Sequence, residues 1–559
     1  MAQIQLVKKP RRWDTPFGRE RMRPDVVSNL LSLPFFRDID GCDFPEDLPL
    51  ATILANDGRI LRYERGDIVY RSGEFNSSIF IVLSGSVYSA TSPRSEAAIS
   101  LALTNKGSNG VPRSEDFIRR LGSLLSTPKS GSSNSKATGQ RNTSRISDIE
   151  PLIAGDLADR IGPNDIFGEC EALTSSARAN THLAGDDETL ILELRWPGAR
   201  EIRHWSDNFR QLVDTRYRQR SLWIALRSSA LFEHLDDSAL RSIANYCLFE
   251  TYGALDWTHR YQRERTADHG GTHIAAQEDI IAEQNHYLDD IILIHSGFVR
   301  MSKTFERSEK TLGYGSPGDV IGLEELKDSA GSGVPLHLRH SVRATGYADI
   351  IRIPARIVEK YVLETASSAQ AGKIIPAANS TSESWLNFTI DNRFINGTQA
   401  MMIDLNRCVN CDECIRACAA THDNIPRFVR QGPSHQNLMI THACMHCADP
   451  VCLTDCPTGA IHRDAKSGNV IINDATCIGC ATCANACPYD NIRMEEVRNA
   501  DGAFHIDSDG VHIARATKCD FCTGLRNGPA CQQACPHNAL IRVDMRDTRA
   551  ITEWLDYTH

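Results

Sequence analysis

No stretch of this 559-residue chain holds eighteen consecutive apolar residues, so no helix is expected to cross a membrane. A basic surplus is lacking too. Sixty-one lysines and arginines face 71 aspartates and glutamates, a net charge of −10, which argues against general nucleic-acid binding. Lys8-Lys9-Pro10-Arg11-Arg12 is basic, but Trp13-Asp14-Thr15-Pro16 follows where the apolar core of an export leader would stand. The patch is therefore read as a surface arm that could dock a partner, and the expected compartment is the cytoplasm, where thiolates stay reduced. Gly313-Tyr314-Gly315-Ser316-Pro317-Gly318 matches GxGxxG, but it lacks a βαβ unit and a helix start, so it is a turn. The chain has no flavin, nucleotide-phosphate, pterin or hydrogenase-active-site motif. Catalysis is therefore expected to lie with partners, with no catalytic residue here.

Cysteine is the abundance. Sixteen of the nineteen cysteines fall in four runs within the last third. These are Cys408, Cys411, Cys414 and Cys418; Cys444, Cys447, Cys452 and Cys456, then Pro457; Cys477, Cys480, Cys483 and Cys487, then Pro488; and Cys519, Cys522, Cys531 and Cys535, then Pro536. Closely spaced thiolates supply three corners of one iron–sulfur cubane, and the last cysteine of each run reaches the partner cluster. Disulfides suit small secreted domains, and zinc knuckles do not need the trailing cysteine–proline pair. Four runs thus predict four [4Fe–4S] clusters and a path for single electrons. Cys42, Cys170 and Cys247 stand alone and are expected to be small buried hydrophobes.

The first two thirds contain an internal repeat. Asp67 to Gly85 aligns with Asp279 to Gly297 without a gap, and Pro163 to Glu169 aligns with Pro317 to Leu323. Gly73 and Asn285 share a slot, and both tolerate the positive φ of a tight turn. Short β-rich runs between glycine turns predict a small antiparallel roll, made twice. A helix is expected over Glu201 to Leu226, with Ile202, Trp205, Phe209 and Leu212 on one face, and another before the second roll. Residues 104–149 are too polar to bury a core and are expected to be a disordered insertion on a hairpin.

With Phe167-Gly168-Glu169 and then Arg178-Ala179, eight residues separating Glu169 from Arg178, the chain resembles the cyclic nucleotide-binding domain family. The match covers roughly residues 29–226 and again 227–366. The resemblance implies that Gly168, Glu169, Arg178 and Ala179 bind a cyclic nucleotide, cyclic AMP or cyclic GMP. Helix-end amides and the Arg178 guanidinium would hold the phosphate, and Glu169 the ribose 2′-hydroxyl. The chain departs from that family at Glu171, where a small residue usually faces the phosphate. A carboxylate there repels the ligand, or pairs with Arg178 and occupies its anion site. The second copy has Leu323 in place of the glutamate and Leu338 in place of the arginine, with Arg339 one residue off, and reads as a scaffold. No helix-turn-helix follows the rolls.

From about Trp385 the chain resembles the four-cluster subunits that accompany molybdopterin oxidoreductases of the dimethyl sulfoxide reductase type and some [NiFe]-hydrogenases. The carrying residues include Asp404-Leu405-Asn406-Arg407-Cys408, Cys444-Met445-His446-Cys447 and Lys518-Cys519-Asp520-Phe521-Cys522. The resemblance implies four ligand sets in two ferredoxin-like lobes. They are Cys408, Cys411, Cys414, Cys535; Cys519, Cys522, Cys531, Cys418; Cys444, Cys447, Cys452, Cys487; and Cys477, Cys480, Cys483, Cys456. Asp412, Glu413, Asp449 and Asp455 near the runs are read as a solvated surface that tends to lower cluster potentials.

The expected architecture is multidomain. An arm (1–28) precedes two jelly-roll-like β-rolls with flanking helices (29–226 and 227–366), then a linker (367–384) and an α+β double ferredoxin-like domain (385–559). The expected function is electron transfer within an oxidoreductase complex whose catalytic subunit is a hydrogenase or flavoprotein, with the rolls regulating or assembling it. They would also offer a homodimer contact. The alternative is a freestanding redox or cyclic-nucleotide sensor.

Overall fold

The structure, a computed structural model, describes residues 4–6, 11–90, 99, 145–253, 278–363 and 385–554, apart from short breaks within these ranges. Most of the predicted insertion (104–144) and the whole linker (367–384) lie outside them. The chain forms two compact units, Pro16–Tyr217, and Met1–Thr15 with Arg218–His559. The second roll and the cysteine-rich domain thus share one unit.

The first roll is two four-stranded antiparallel sheets. One runs in the order Gly58–Tyr63, Thr189–Arg195, Ser78–Ser84, Ile166–Phe167, and the other Ile68–Tyr70, Thr181–Ala184, Val87–Ala90, Ala158–Ile161. Phe80, Val82, Val87, Phe167 and Ile191 form one core. Burying each aliphatic or phenyl side chain contributes about 1.5–3 kcal/mol, which holds such short strands together. In the second roll two strands, Asp290–Phe305 and Ser341–Pro354, are long and bent. Register shifts at Ile294/Ser296 and Gly297/Val299 mark the bends.

The predicted duplication is visible in the backbone. Positive φ recurs at matched positions: Gly73 and Asn285 (82° and 68°), Gly85 and Gly297 (78° and 76°), Asn164 and Gly318 (63° and 94°), Gly168 and Gly322 (78° and 91°). All eight are residue types that reach the left-handed region at little cost.

Three sequence expectations change. The helix Glu201–Leu226 is two helices, Trp196–Trp205 and Asp207–Ser228, broken at Ser206; Ile202 and Phe209 are buried. The insertion ends sooner than residue 149. Arg145 pairs with Glu64, and Ile146 and Ile149 pack into the core beside Leu183. The segment 1–28 is not a free arm either. Ile4–Leu6 pairs in parallel with Phe504–Ile506. From Phe17 onward the chain is tied down within the first unit, by the Phe17 N–H on Asn56 O (2.7 Å) and by Arg59 lying over the Phe17 ring.

The cysteine-rich domain has little regular structure. A four-stranded sheet runs in the order Ser434–His435, Leu438–Ile440, Ala400–Asp404, Leu540–Val543, and two hairpin-like pairs accompany it. The short helices Glu413–Ala420, Thr482–Ala486 and Ala530–Gln533 each carry cysteines.

Candidate iron–sulfur centres and the anion pocket of the first roll

Gly168, at φ 78°, turns the strand Ile166–Phe167 into the helix Glu169–Thr174. A β-carbon at Gly168 would sit 2.6 Å from Arg178 Nη1, so glycine is what lets the guanidinium enter. Arg178 is 1 % exposed. It donates from Nη1 to Gly168 O (2.7 Å) and Glu171 Oε2 (3.0 Å), and from Nη2 to Ser78 O (2.6 Å). Its guanidinium also lies 4.5 Å from the Tyr70 ring centre. The other Glu171 oxygen accepts the Ala179 N–H at 3.0 Å. Of the four residues expected to hold a nucleotide, Gly168, Arg178 and Ala179 converge, and Glu169 is fully buried beside them in the helix. The groups they converge on include the chain's own carboxylate.

The second roll keeps the frame and changes the chemistry. Gly73 N–H donates to Arg178 O, and Asn285 N–H to Leu338 O, both at 2.8 Å. Leu338 therefore occupies the arginine slot, 1 % exposed in an apolar core. Glu325 aligns with Glu171, and His340 Nδ1 lies 3.8 Å from it. Arg339 pairs instead with exposed Asp328.

The cysteines gather by sets, although the four runs are far apart in sequence. Cys414 feels Cys408 and Cys535, and Cys531 feels Cys519, Cys418 and Cys522. Cys444, Cys447, Cys452 and Cys487 line one cavity, and Cys456, Cys477, Cys480 and Cys483 line another. Cys411 and Cys480 are exposed. Burial and neighbouring thiols push Cys483 up to about 12 and Cys418 up to about 11. Such thiols stay protonated unless a bound cation stabilises the thiolate.

Spacing tests which metal group fits. A tetrahedral zinc with 2.3 Å bonds draws its sulfurs to about 3.8 Å from one another. Among the described residues, the only group of three metal-capable side chains whose ligand atoms all lie within 4.8 Å of one another is His422, Asp520 and Cys522, so no three thiols come that close. Two of the sets line cavities, and a cubane needs such space between its thiolates. A second fit lies at His446, 1 % exposed, between Cys444 and Cys447. Its Nδ1 accepts the Val470 N–H at 3.1 Å, which leaves the proton on Nε2, a buried donor with no hydrogen-bond partner among the described residues. A cluster sulfide is the acceptor such a group lacks.

Groups that the spacing rules did not reveal complete the surroundings. Arg542 Nη2 donates to Cys519 Sγ at 2.6 Å, Arg427 N–H to Cys418 Sγ at 3.2 Å and Thr482 Oγ1 to Cys480 Sγ at 3.3 Å. Lys518, in the quoted Lys-Cys pair, is 3 % exposed. Asp412 and Glu413 lie at a solvated surface as expected, 47 % and 48 % of their side chains exposed. Asp412 pairs with Arg430 at 2.8 Å and Glu413 with Arg416 at 2.5 Å, while burial pushes Asp449 up to about 6 against the pull of Arg463. Cys170 and Cys247 are buried as expected, but Cys42 is exposed.

Comparison with known proteins agrees with this chemistry. Residues 435–545 match the family described as "4Fe-4S dicluster domain". The chain is similar to the electron transport protein HydN of Escherichia coli (strain K12), 36% identical over 169 residues, 27% of this chain and 89% of that protein. It is also similar to the B subunit of the anaerobic dimethyl sulfoxide reductase of Haemophilus influenzae, 37% identical over 158 residues, 24% of this chain and 69% of that subunit. Among solved structures, the regulatory domain of Toxoplasma gondii PKA with cAMP aligns at 14% identity and a TM-score of 0.20, over 59% of this chain and 87% of that one. Through its last third the chain belongs to the ferredoxin-type [4Fe–4S] electron-transport proteins.

Proposed function

We propose that the chain is a cytoplasmic electron-transfer subunit carrying four [4Fe–4S] clusters, held by the four ligand sets given above, and serving a separate catalytic oxidoreductase. The observation that carries this reading is the gathering of the thiols by sets, two of which line cavities, with no three thiols within 4.8 Å of one another among the described residues. When bound, the clusters supply one-electron transfer; the chain's residues hold them, exclude water and set their energies. Cys411 and Cys480 are exposed and belong to different lobes, which supports them as the two ends of the path. Arg542 touches both Cys519 Sγ and Cys444 O, which supports the other two sets as its middle.

The rolls, in this reading, are assembly domains. Glu171 takes the two donors, Arg178 and the Ala179 N–H, that a cyclic phosphate would otherwise use, and Leu338 removes the cation from the second roll. A hydrogenase or flavoprotein is the partner class that a cytoplasmic setting favours over a pterin enzyme.

Anaerobic purification from the source cells, with iron analysis and mass spectrometry of co-purifying proteins, tests this. About sixteen iron atoms per chain and a stoichiometric hydrogenase, flavoprotein or pterin enzyme are expected. Cys447→Ala should lose about four of those irons, and unchanged iron and EPR would sink the ligand assignment. Recovery of an intact but solitary protein would favour the sensor.

A further inference from the structure

We propose that Arg542 and Lys518 are positioning residues that raise the potentials of the two central clusters, so that electrons on the path settle in its middle. The inference rests on the electron-transfer reading above. One guanidinium serves both sets. Its Nη2 meets Cys519 Sγ at 2.6 Å, and its Nη1 meets Gln399 O at 2.6 Å and Cys444 O at 3.3 Å. The Lys518 ammonium donates to Val470 O and to Cys519 O (3.0 Å), and its charge acts on Cys452 of the other set.

Neither cation has a carboxylate partner among the described residues, although Lys518 is buried and Arg542 partly so. Buried charge without a counter-charge is strongly disfavoured, so an anion belongs between them. A thiolate-ligated cluster is that anion, and it gains one more negative charge on reduction. Adjacent fixed cations stabilise the reduced state most where water is excluded. The remaining sets lack this arrangement. Near Cys408, Arg430 Nη1 lies 4.0 Å from the Cys408 Sγ, but its Nη2 is paired with Asp412 at 2.8 Å, which offsets its charge. The neighbours that act on Cys483 are the thiols of its own set, and Cys480 receives a neutral hydroxyl from Thr482. The Cys480 end is then the low-potential end, and electrons entering there run downhill to the middle.

The test is an anaerobic redox titration of the full chain followed by EPR, with signals assigned through Cys522→Ser and Cys480→Ser. Arg542→Gln should lower the reduced-to-oxidised ratio of both central clusters about tenfold at fixed potential, about 59 mV for one electron. The signals of the Cys408 and Cys480 sets should stay put. Arg542→Lys should restore most of the difference, and Lys518→Met should move the Cys444 set. Central signals that do not move, or four signals that shift together, overturn the inference while leaving the clusters standing. Should Arg542→Gln lose iron, Lys518→Met carries the same test. A wild-type protein without iron would refute the electron-transfer reading itself.

Discussion

The two rolls share a backbone and differ in what they bury. In the first, a guanidinium and a carboxylate face each other with 0 % and 8 % of their side chains exposed. In the second, the same slot holds Leu338, and the aligned carboxylate, Glu325, has a histidine 3.8 Å away. The turns that frame both slots use the same left-handed positions and the same N–H to carbonyl bonds. Duplication has therefore preserved geometry where a mismatch would strain the chain, and released chemistry where a leucine fills the same volume. Buried ion pairs and well-packed apolar groups are often of comparable stability, which makes either solution tolerable as long as the partners change together.

Breaking only one partner should thus have the largest effect. Arg178→Leu, which copies the second roll into the first, strands Glu171 and should cost about 3–5 kcal/mol in chemical denaturation of the full chain. Adding Glu171→Leu should recover most of that loss; failure to recover would mean that the pair contributes specific packing beyond charge. Gly168→Ala comes next. It combines a positive φ with a β-carbon 2.6 Å from the guanidinium, and should cost roughly 1–3 kcal/mol. Calorimetry would read it.

A smaller effect sharpens the contrast in ligand terms. Cyclic AMP or cyclic GMP should leave the wild-type Tm unchanged. In Glu171→Ala the freed Arg178 and Ala179 N–H groups should donate to the phosphate, raising the Tm by about 3–6 °C at tenfold excess over Kd. Stabilisation of the wild type would show that Glu171 yields to ligand. The smallest effect belongs to the second roll. Burial holds His340 below its ordinary value, Glu325 and Glu324 oppose that, and Arg339 adds to it. The unfolded chain then takes up a proton that the fold refuses, so stability is full above the ordinary histidine range and falls as pH drops through about 6.5. His340→Gln should flatten that slope in denaturant midpoints measured from about pH 5 to 8.

Much of this was legible in the sequence because it obeys short-range rules. Cysteine spacing marked the four runs that the fold gathers into sets, and a gapless alignment marked the duplication. Glu171 was flagged as a residue that could fill its own site, and it does bond Arg178. Other features had no local signal. Arg542 lies over twenty residues beyond Cys519, and only the packing of the strand Leu540–Val543 brings it there. His446 sits inside a quoted motif, yet its orphaned Nε2 is a fact of burial rather than of spacing. The pairing of Ile4–Leu6 with Phe504–Ile506 joins segments that no window could compare.

That last pairing also sets a timetable. The strand Ile4–Leu6 is made some 500 residues ahead of the partner it needs. At ribosomal speeds of about 5–20 residues per second, that is a wait on the order of 25–100 s. Once the strand docks, its pairing records that the end of the chain carrying the cysteine runs has been made.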